Sequence, residues 1–267
     1  MRSFTDVLSG VLSGAGLALA LCTAGPALAT IHIAGDSTAA NYAAERYPQT
    51  GWGMMLPCAL EGENVRNHAV GGRSTRTFIT EGRLDRMAAE LQPGDTVLIQ
   101  FGHNDASADR PERFVSPEQY KTNLQRMIDM ARGAKAQPVL LTPVTRRSFR
   151  DGKAKADFAV YSMAARELAE EAGVPLIDLE AASGQWLESV GQEESRPYFL
   201  HYTPEDQMPA FPQGIADDTH FSELGARAIA DIVARELKAL NLPVSAKVLE
   251  QRPDLTREAP LGRFACN

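Results

Sequence analysis

Two short stretches of this chain contain the residue types that acyl transfer requires. Ser37 lies in the run Gly35-Asp36-Ser37, and a serine hydroxyl becomes a nucleophile when a base lies within hydrogen-bonding reach. Asp217 and His220 are three residues apart, so a turn can place the carboxylate against one ring nitrogen while the other nitrogen faces the serine. Asp218 is a competing carboxylate whose spacing suits that geometry less well. The pattern predicts Ser37 as nucleophile, His220 as base and Asp217 as the acid that orients the base.

Two further stretches contain donors that suit a tetrahedral oxyanion. The Ser37 and Gly72 amides and the Asn104 side chain are predicted to form the oxyanion hole, where each such donor is worth about 10²- to 10³-fold in rate. Each stretch alone also suits a structural role, because Gly71-Gly72 is typical of a tight turn and Asn104 of a turn-stabilising side chain. The presence of every required part at once favours the catalytic interpretation.

The elements that must position these residues alternate between strand and helix. Predicted strands cover 30–34, 65–69, 95–101, 138–142 and 174–178, and predicted helices cover 53–60, 84–91, 116–132, 157–172, 181–190 and 222–240. Such alternation predicts a three-layer α/β/α sandwich with a five-stranded parallel sheet. The first three strands end at the candidate residues, and the carboxyl ends of parallel strands form the ligand crevice. Residues 193–214 are expected to be a long irregular loop, which is typical of a functional segment.

The length and charge of the chain narrow its class. Its 267 residues suffice for one α/β domain. A formal net charge of −7 argues against nucleic-acid binding, which depends on Lys and Arg neutralising phosphates.

The start of the chain has the features of a secretory signal. Residues 1–29 contain Arg2, an apolar run too short to span a bilayer, and the cleavage-site pattern Ala27-Leu28-Ala29. We therefore expect residues 30–267 to form one hydrolase domain, secreted or periplasmic, with no membrane span after cleavage. Cys58 and Cys266 would remain, and two interpretations stay open: a disulfide, which an oxidising compartment permits, or two unrelated thiols.

The candidate stretches resemble the sequence blocks of the SGNH hydrolases, also called GDSL hydrolases. Gly35-Asp36-Ser37 resembles the first block, Gly72 matches the glycine of the second, Gly102-His103-Asn104-Asp105 resembles the third, and Asp217 with His220 matches the D-x-x-H of the last. Within that superfamily the chain is most similar to the rhamnogalacturonan acetylesterases. The details that carry this likeness are Ala34-Gly35-Asp36-Ser37-Thr38, Gly51-Trp52-Gly53, Gly71-Gly72-Arg73-Ser74-Thr75-Arg76, Phe101-Gly102-His103-Asn104-Asp105 and Asp218-Thr219-His220-Phe221. The resemblance implies a flavodoxin-like fold and a serine esterase that uses no cofactor or metal. It also implies an acetylated polysaccharide substrate, in particular rhamnogalacturonan.

Five residues near the predicted site are candidates for substrate contact: Trp52, Arg73, His103, Arg146 and Arg147. Guanidinium groups suit galacturonate carboxylates, because both are planar and can pair through two hydrogen bonds. The same arginines are also typical of a solvated surface. Trp52 suits either a sugar platform or a buried aromatic at a helix start, and His103 is expected near the site, beside Asn104.

Two other functions remain compatible with the sequence. The chain could be an acyl hydrolase of the same superfamily that acts on xylan, peptidoglycan or small esters. It could also be a noncatalytic carbohydrate- or anion-binding module on the same scaffold. The pairing of Asp217 with His220 disfavours the module, because a binding site does not require an acid–base pair.

Overall fold

A computed structural model of the protein describes residues 29–62 and 65–266. Of the predicted signal over residues 1–29, residues 1–28 lie outside the described part. The strands of the described residues are, in chain order, β1 (Ile31–Gly35), β2 (Val65–Asn67), β3 (Thr96–Gln100), β4 (Gln137–Leu141), β5 (Phe149–Arg150), β6 (Lys153–Ala154), β7 (Leu176–Ile177), β8 (Phe199–Tyr202) and β9 (Ile215–Phe221). The α-helices are α1 (Trp52–Met55), α2 (Thr75–Thr80), α3 (Arg83–Ala88), α4 (Pro117–Gly133), α5 (Ala159–Ala172), α6 (Leu179–Val190) and α7 (Glu223–Ala239).

Five strands form one parallel sheet in the order β2-β1-β3-β4-β7, which confirms the predicted fold class. Neighbouring β3 residues face opposite layers. Leu98 packs in a core with α1, α6 and α7, whereas Val97 and Ile99 pack in a second core with the helices α2 to α5. A strand buried on both faces explains the continuous apolar run from which this strand was predicted. No helix among the described residues is long and apolar enough to cross a membrane.

Several element ends follow the local signals in the sequence. Ser116 caps α4 by accepting a hydrogen bond from the Gln119 amide, and Pro117 takes the first helical position. Gly173 ends α5 in the left-handed conformation. Helix α1 is shorter than the predicted 53–60 segment, because the chain continues as a 3-10 helix over Leu56–Ala59, where Pro57 has no amide hydrogen to donate.

The prediction of an irregular loop over residues 193–214 is wrong in part. Residues Phe199–Tyr202 form β8, which pairs antiparallel with β9. Phe199 and Phe221 pack their rings together, with centroids 5.3 Å apart. This hairpin matters for function because β9 contains both Asp217 and His220.

A disulfide joins Cys58, in the 3-10 helix after α1, to Cys266 near the end of the chain. The sequence had left this pairing open. The tail is also held by Arg227 of α7, which is fully buried, pairs with Glu223 and donates hydrogen bonds to the carbonyl groups of Asp254 and Ala265. The C-terminal segment is therefore fastened to the α7 layer covalently and through a buried ion pair.

Replacing both cysteines with serine should lower the free energy of unfolding by about 2–5 kcal/mol, because the cross-link restricts a very long loop of the unfolded chain. The measurement is urea unfolding of the wild-type and double-variant proteins, and wild-type protein reduced with dithiothreitol should match the variant. Equal midpoints for oxidised wild type and variant would contradict the stabilising role of this disulfide.

Candidate functional site

Ser37 lies in a tight turn directly after β1, formed by residues 36–39 and here called the nucleophile turn. The Ala39 amide donates to the Asp36 carbonyl, and Asp36 Oδ1 accepts from the Thr38 amide at 2.9 Å. Burial alone would raise the pKa of Asp36, but the neighbouring His103 ring and the hydrogen bonds from Thr38 lower it. An ionised, fully buried Asp36 therefore fixes the turn that presents Ser37, and is not itself a second catalytic acid.

The β9 strand carries a bulge that creates the spacing between Asp217 and His220. In the β8–β9 ladder, Leu200 lies opposite Asp217 and Phe199 lies opposite Phe221, so residues 218–220 have no partners on β8. We call residues 217–220 the acid–base bulge. A bulge redirects side chains that a regular strand would place on alternating faces. The sequence suggested a turn before α7, and the structure forms this turn inside a strand.

Asp217 holds the bulge and the histidine ring together. Its Oδ1 accepts hydrogen bonds from the Thr219 amide at 2.7 Å and the His220 amide at 3.0 Å, and its Oδ2 lies 2.7 Å from His220 Nδ1. Burial would raise the pKa of Asp217, but the hydrogen bond and charge of His220, together with these amides, lower it to about 2. Asp217 is therefore ionised throughout the neutral pH range, and its carboxylate accepts a hydrogen bond from His220 Nδ1–H, which fixes the orientation of the ring.

The nucleophile turn and the acid–base bulge meet across 183 residues of sequence, because His220 Nε2 lies 2.9 Å from Ser37 Oγ. With Nδ1 donating to Asp217, Nε2 is left to accept the serine proton. Asp218 points elsewhere: its Oδ1 lies 3.0 Å from Arg147 Nη1 and 2.7 Å from His201 Nε2. The structure therefore places Asp217, and not Asp218, against His220, and the catalytic role of Asp217 stays a prediction.

The glycine turn, residues 70–73, follows β2 and lies beside Ser37. The Arg73 amide donates to the Val70 carbonyl, and Gly72 has a φ of +78° that favours glycine. A Cβ added at Gly71 would lie 3.6 Å from the Ser37 Cβ, which shows how closely the turn approaches the nucleophile. Among the described residues, neither the Ser37 amide nor the Gly72 amide donates a backbone hydrogen bond. Both amides are free to bind an oxyanion.

Asn104 follows β3 at the same edge of the sheet. Gly102 before it has a φ of +137°, and a Cβ there would lie 2.4 Å from Pro143, so only glycine fits. The Asn104 side chain donates from Nδ2 to the Arg73 carbonyl at 3.1 Å, and its Oδ1 accepts from Arg113 Nη1 at 2.6 Å. The predicted oxyanion residues Ser37, Gly72 and Asn104 are thus brought together by three strand ends.

The structure places Trp52, Arg147 and His103 in contacts within the protein, and for the fully buried Trp52 this corrects the expected substrate contact. Trp52 is fully buried and donates from Nε1 to Gln100 Oε1 at 3.0 Å. Arg147 clamps the outside of the acid–base bulge, because its amide donates to the Asp218 carbonyl and its Nη1 to the Asp218 carboxylate. His103 is 5% exposed, packs on Phe158 and lies 3.6 Å from the Asp36 carboxylate.

Substrate contact by Arg73 and Arg146 stays a prediction. Arg73 is about one-third exposed, and it donates to the Gly71 carbonyl from the glycine turn and to Glu81. The Arg146 guanidinium lies 4.9 Å from the centre of the Phe158 ring. This cation–π contact fixes the position of the guanidinium without neutralising its positive charge.

Sequence reasoning missed Arg113, which contacts Asn104, and the partners that hold the acid–base bulge. Arg113 belongs to no recognisable sequence motif. Its loop reaches Asn104 only in the tertiary structure. His32 also has partners that the sequence did not reveal, since it lies 3.0 Å from His68 and 3.2 Å from Asp95. No cluster of three or more His, Cys, Asp or Glu side chains in the described ranges could hold a metal ion.

Comparison with known proteins identifies the family of this chain and supports its fold. The chain matches the sequence model of the GDSL-like Lipase/Acylhydrolase family over residues 33–228, and it belongs to this family. Two similar proteins come from Bacillus subtilis strain 168. The chain is 40% identical to Rhamnogalacturonan acetylesterase RhgT over 216 residues, which cover 80% of this chain and 91% of RhgT. It is 38% identical to Probable rhamnogalacturonan acetylesterase YesY over 224 residues, which cover 83% of this chain and 98% of YesY.

A solved structure gives the same result for the fold. The crystal structure of protein YxiM from Bacillus subtilis superposes with a TM-score of 0.69 and 29% sequence identity. The match covers 81% of this chain and 58% of that chain, so this protein spans somewhat more than half the length of YxiM.

A matched pair of substitutions tests the assignment of the acid. Asp217→Asn should lower kcat for an activated acetyl ester by about 10⁴-fold, because the amide no longer fixes the His220 tautomer. Asp218→Asn should lower kcat by less than about 10-fold, since Asp218 only braces the bulge from outside. Steady-state kinetics of both variants provide the measurement, and an equal loss in the two would refute the assignment of Asp217.

Proposed function

We propose that the protein is an exported serine esterase that removes O-acetyl groups from a plant cell-wall polysaccharide, in particular rhamnogalacturonan. The observation that carries the proposal is the hydrogen-bonded series from Asp217 through His220 to Ser37, with distances of 2.7 and 2.9 Å. A binding site does not require such a series. Hydrolysis of an ester through an acyl-serine intermediate gives each of its members a role.

The reaction begins when an acetyl carbonyl lies over Ser37 Oγ. His220 Nε2 takes the hydroxyl proton as Oγ attacks the carbonyl carbon, and the ionised Asp217 stabilises the resulting imidazolium. The tetrahedral intermediate collapses as His220 protonates the leaving sugar alcohol, which leaves an acetyl group on Ser37. Water, activated by the same nitrogen, then attacks the acetyl-enzyme, and acetate leaves with Ser37 regenerated.

The negative charge that forms on the carbonyl oxygen is bound by donors already in position. These are the amides of Ser37 and Gly72 and the Nδ2 group of Asn104, which the nucleophile turn, the glycine turn and the end of β3 hold in place. Because the donors are fixed before the reaction, little reorganisation is needed when the charge develops.

The choice of substrate rests on the relatives and on charge. RhgT and YesY are named as rhamnogalacturonan acetylesterases, and the chain aligns with most of each. Arg73 adjoins Gly72 in the glycine turn, is partly exposed and pairs with Glu81, so it provides a cation at the glycine turn in a chain of net charge −7. A guanidinium there suits the carboxylates of galacturonate residues that flank an acetylated sugar.

Export is supported by the Cys58–Cys266 disulfide. Disulfides persist in oxidising compartments and are rare in the reducing cytosol. Together with the signal pattern in residues 1–29, the pairing favours a secreted or periplasmic location.

Acetate release should depend on Ser37 and should be greatest with acetylated rhamnogalacturonan. We would incubate the purified chain with acetylated rhamnogalacturonan, acetylated xylan and acetylated peptidoglycan, and measure acetate released over time. Ser37→Ala should lower kcat on the order of 10⁶-fold. Ser189→Ala is the matched control, because Ser189 is exposed on α6 and bonds only to the Trp186 carbonyl, and it should retain the wild-type rate.

The outcomes separate the mechanism from the substrate. Ser37-dependent release mainly from xylan or peptidoglycan would keep the esterase mechanism and reject rhamnogalacturonan. No Ser37-dependent release from any polymer, nor from a small acetyl ester, would reject the esterase and favour a noncatalytic binding module.

A further inference from the structure

We propose that Arg113 is a positioning residue for the oxyanion hole: its guanidinium fixes the orientation of the Asn104 carboxamide and places a positive charge beside Gly72. This inference rests on the proposed esterase function and assigns a role within that site to a residue outside the sequence motifs.

Arg113 determines which way the Asn104 carboxamide faces. Arg113 Nη1 lies 2.6 Å from the Asn104 side chain, and a guanidinium has only donors, so the atom that faces it must be the acceptor Oδ1. The Nδ2 end therefore points the other way. One of its two hydrogens goes to the Arg73 carbonyl at 3.1 Å. No other acceptor among the described residues takes the second hydrogen, which is left for the oxyanion.

Without Arg113, the hydrogen bond that remains to the Asn104 side chain among the described residues is the neutral one to the Arg73 carbonyl, which is weaker. A rotated Asn104 would present Oδ1, an acceptor, toward the developing negative charge. That orientation would repel the oxyanion, so the loss would be larger than that of one ordinary hydrogen bond. A charge-assisted hydrogen bond of 2.6 Å is among the stronger hydrogen bonds in proteins.

The Arg113 guanidinium also places its positive charge beside Gly72. A Cβ built on Gly72 would lie 3.6 Å from Arg113 Nη1, so the guanidinium packs against the residue whose amide is the second oxyanion donor. The Arg113 side chain is only 17% exposed, and its carboxylate neighbour Glu112 is 3.5 Å from Nε and largely in solvent. Solvent therefore screens this charge only in part where negative charge develops, and the Glu112 carboxylate offsets part of it from the Nε side.

Arg113 is itself held in place by contacts of the loop that contains it. Its amide donates to the Arg110 carbonyl, and the Val115 amide donates to the Asp105 carbonyl, so the loop begins and ends in fixed contacts. Arg76, from the helix that follows the glycine turn, donates to the Pro111 carbonyl of the same loop. The loop, the glycine turn and Asn104 thus form one connected unit.

The test is a double-mutant cycle between Arg113→Met and Asn104→Ala, with p-nitrophenyl acetate as substrate. This ester has no carboxylate, so any pairing between Arg113 and an acidic polymer does not contribute. Asn104→Ala should lower kcat by about 10²- to 10³-fold. Arg113→Met should lower kcat by about 10- to 100-fold with little change in KM, because a misdirected donor is lost mainly in the transition state. In the Asn104→Ala background, Arg113→Met should cost less than about 3-fold, since residues that act through one another are not additive.

Two further variants and one added compound serve as controls for the double-mutant cycle. Arg113→Lys keeps the charge and one donor, and should recover part of the lost kcat. Guanidinium added at millimolar concentration should partly restore Arg113→Met but not the wild type. Arg110→Met is the matched control, because Arg110 belongs to the same loop, its side chain is 57% exposed, and its ion pair among the described residues is with Asp109; it should keep the wild-type kcat. Urea unfolding of each variant checks that it is folded.

Each outcome decides the proposal. An equal loss from Arg113→Met in both backgrounds would show that Arg113 does not act through Asn104, and would overturn it. A change confined to KM for acidic polymers, with kcat for p-nitrophenyl acetate intact, would make Arg113 a substrate contact and would also overturn it. Wild-type protein without Ser37-dependent hydrolysis would overturn the esterase itself, and is recognised before any Arg113 variant is measured.

Discussion

The hydrogen bond between Ser37 Oγ and His220 Nε2 depends on nearly every element of the fold, because it joins residues 183 positions apart. Ser37 is placed by β1, which lies between β2 and β3 in the sheet, and His220 by a hairpin that is not part of that sheet. Such a contact forms only if the sheet, the α7 layer and the hairpin are positioned accurately relative to one another. The Thr50 amide, which donates to the Phe221 carbonyl, ties the segment after the nucleophile turn directly to the end of β9.

Buried and half-buried carboxylates hold this contact in register, and each accepts hydrogen bonds from backbone amides of the turn or helix that it supports. Asp36 fixes the nucleophile turn, and the Asp217 carboxylate closes the acid–base bulge while orienting His220. Asp105 receives the Thr75 amide at the start of α2, directly after the glycine turn, and burial raises the pKa of Asp105 to about 7. Buried polar groups are costly unless they are satisfied. Their concentration around one sheet edge is therefore consistent with a preorganised catalytic site.

The sequence predicted the sheet and the Ser37, Asp217 and His220 set because both depend on local signals. Strand–helix alternation gives a parallel sheet, and parallel strands bring their carboxyl ends to one edge. Helix α2 went unnoticed because Thr-rich Thr75–Thr80 has weak helix propensity, and its start depends on the capping box between Ser74 and Thr77. The β8–β9 hairpin was concealed by a run of prolines and aromatics. Arg113 and Arg147 could not be assigned, because their partners Asn104 and Asp218 reach them only through tertiary contacts.

Labelling with a serine-directed phosphonate tests most directly whether His220 activates Ser37. The intact protein should gain the mass of one phosphonyl group, and peptide mapping should place it on Ser37. His220→Ala should react far more slowly, and Ser37→Ala should not react. Attachment to another residue, or equal labelling rates in wild type and His220→Ala, would contradict an activated Ser37 and the mechanism built on it.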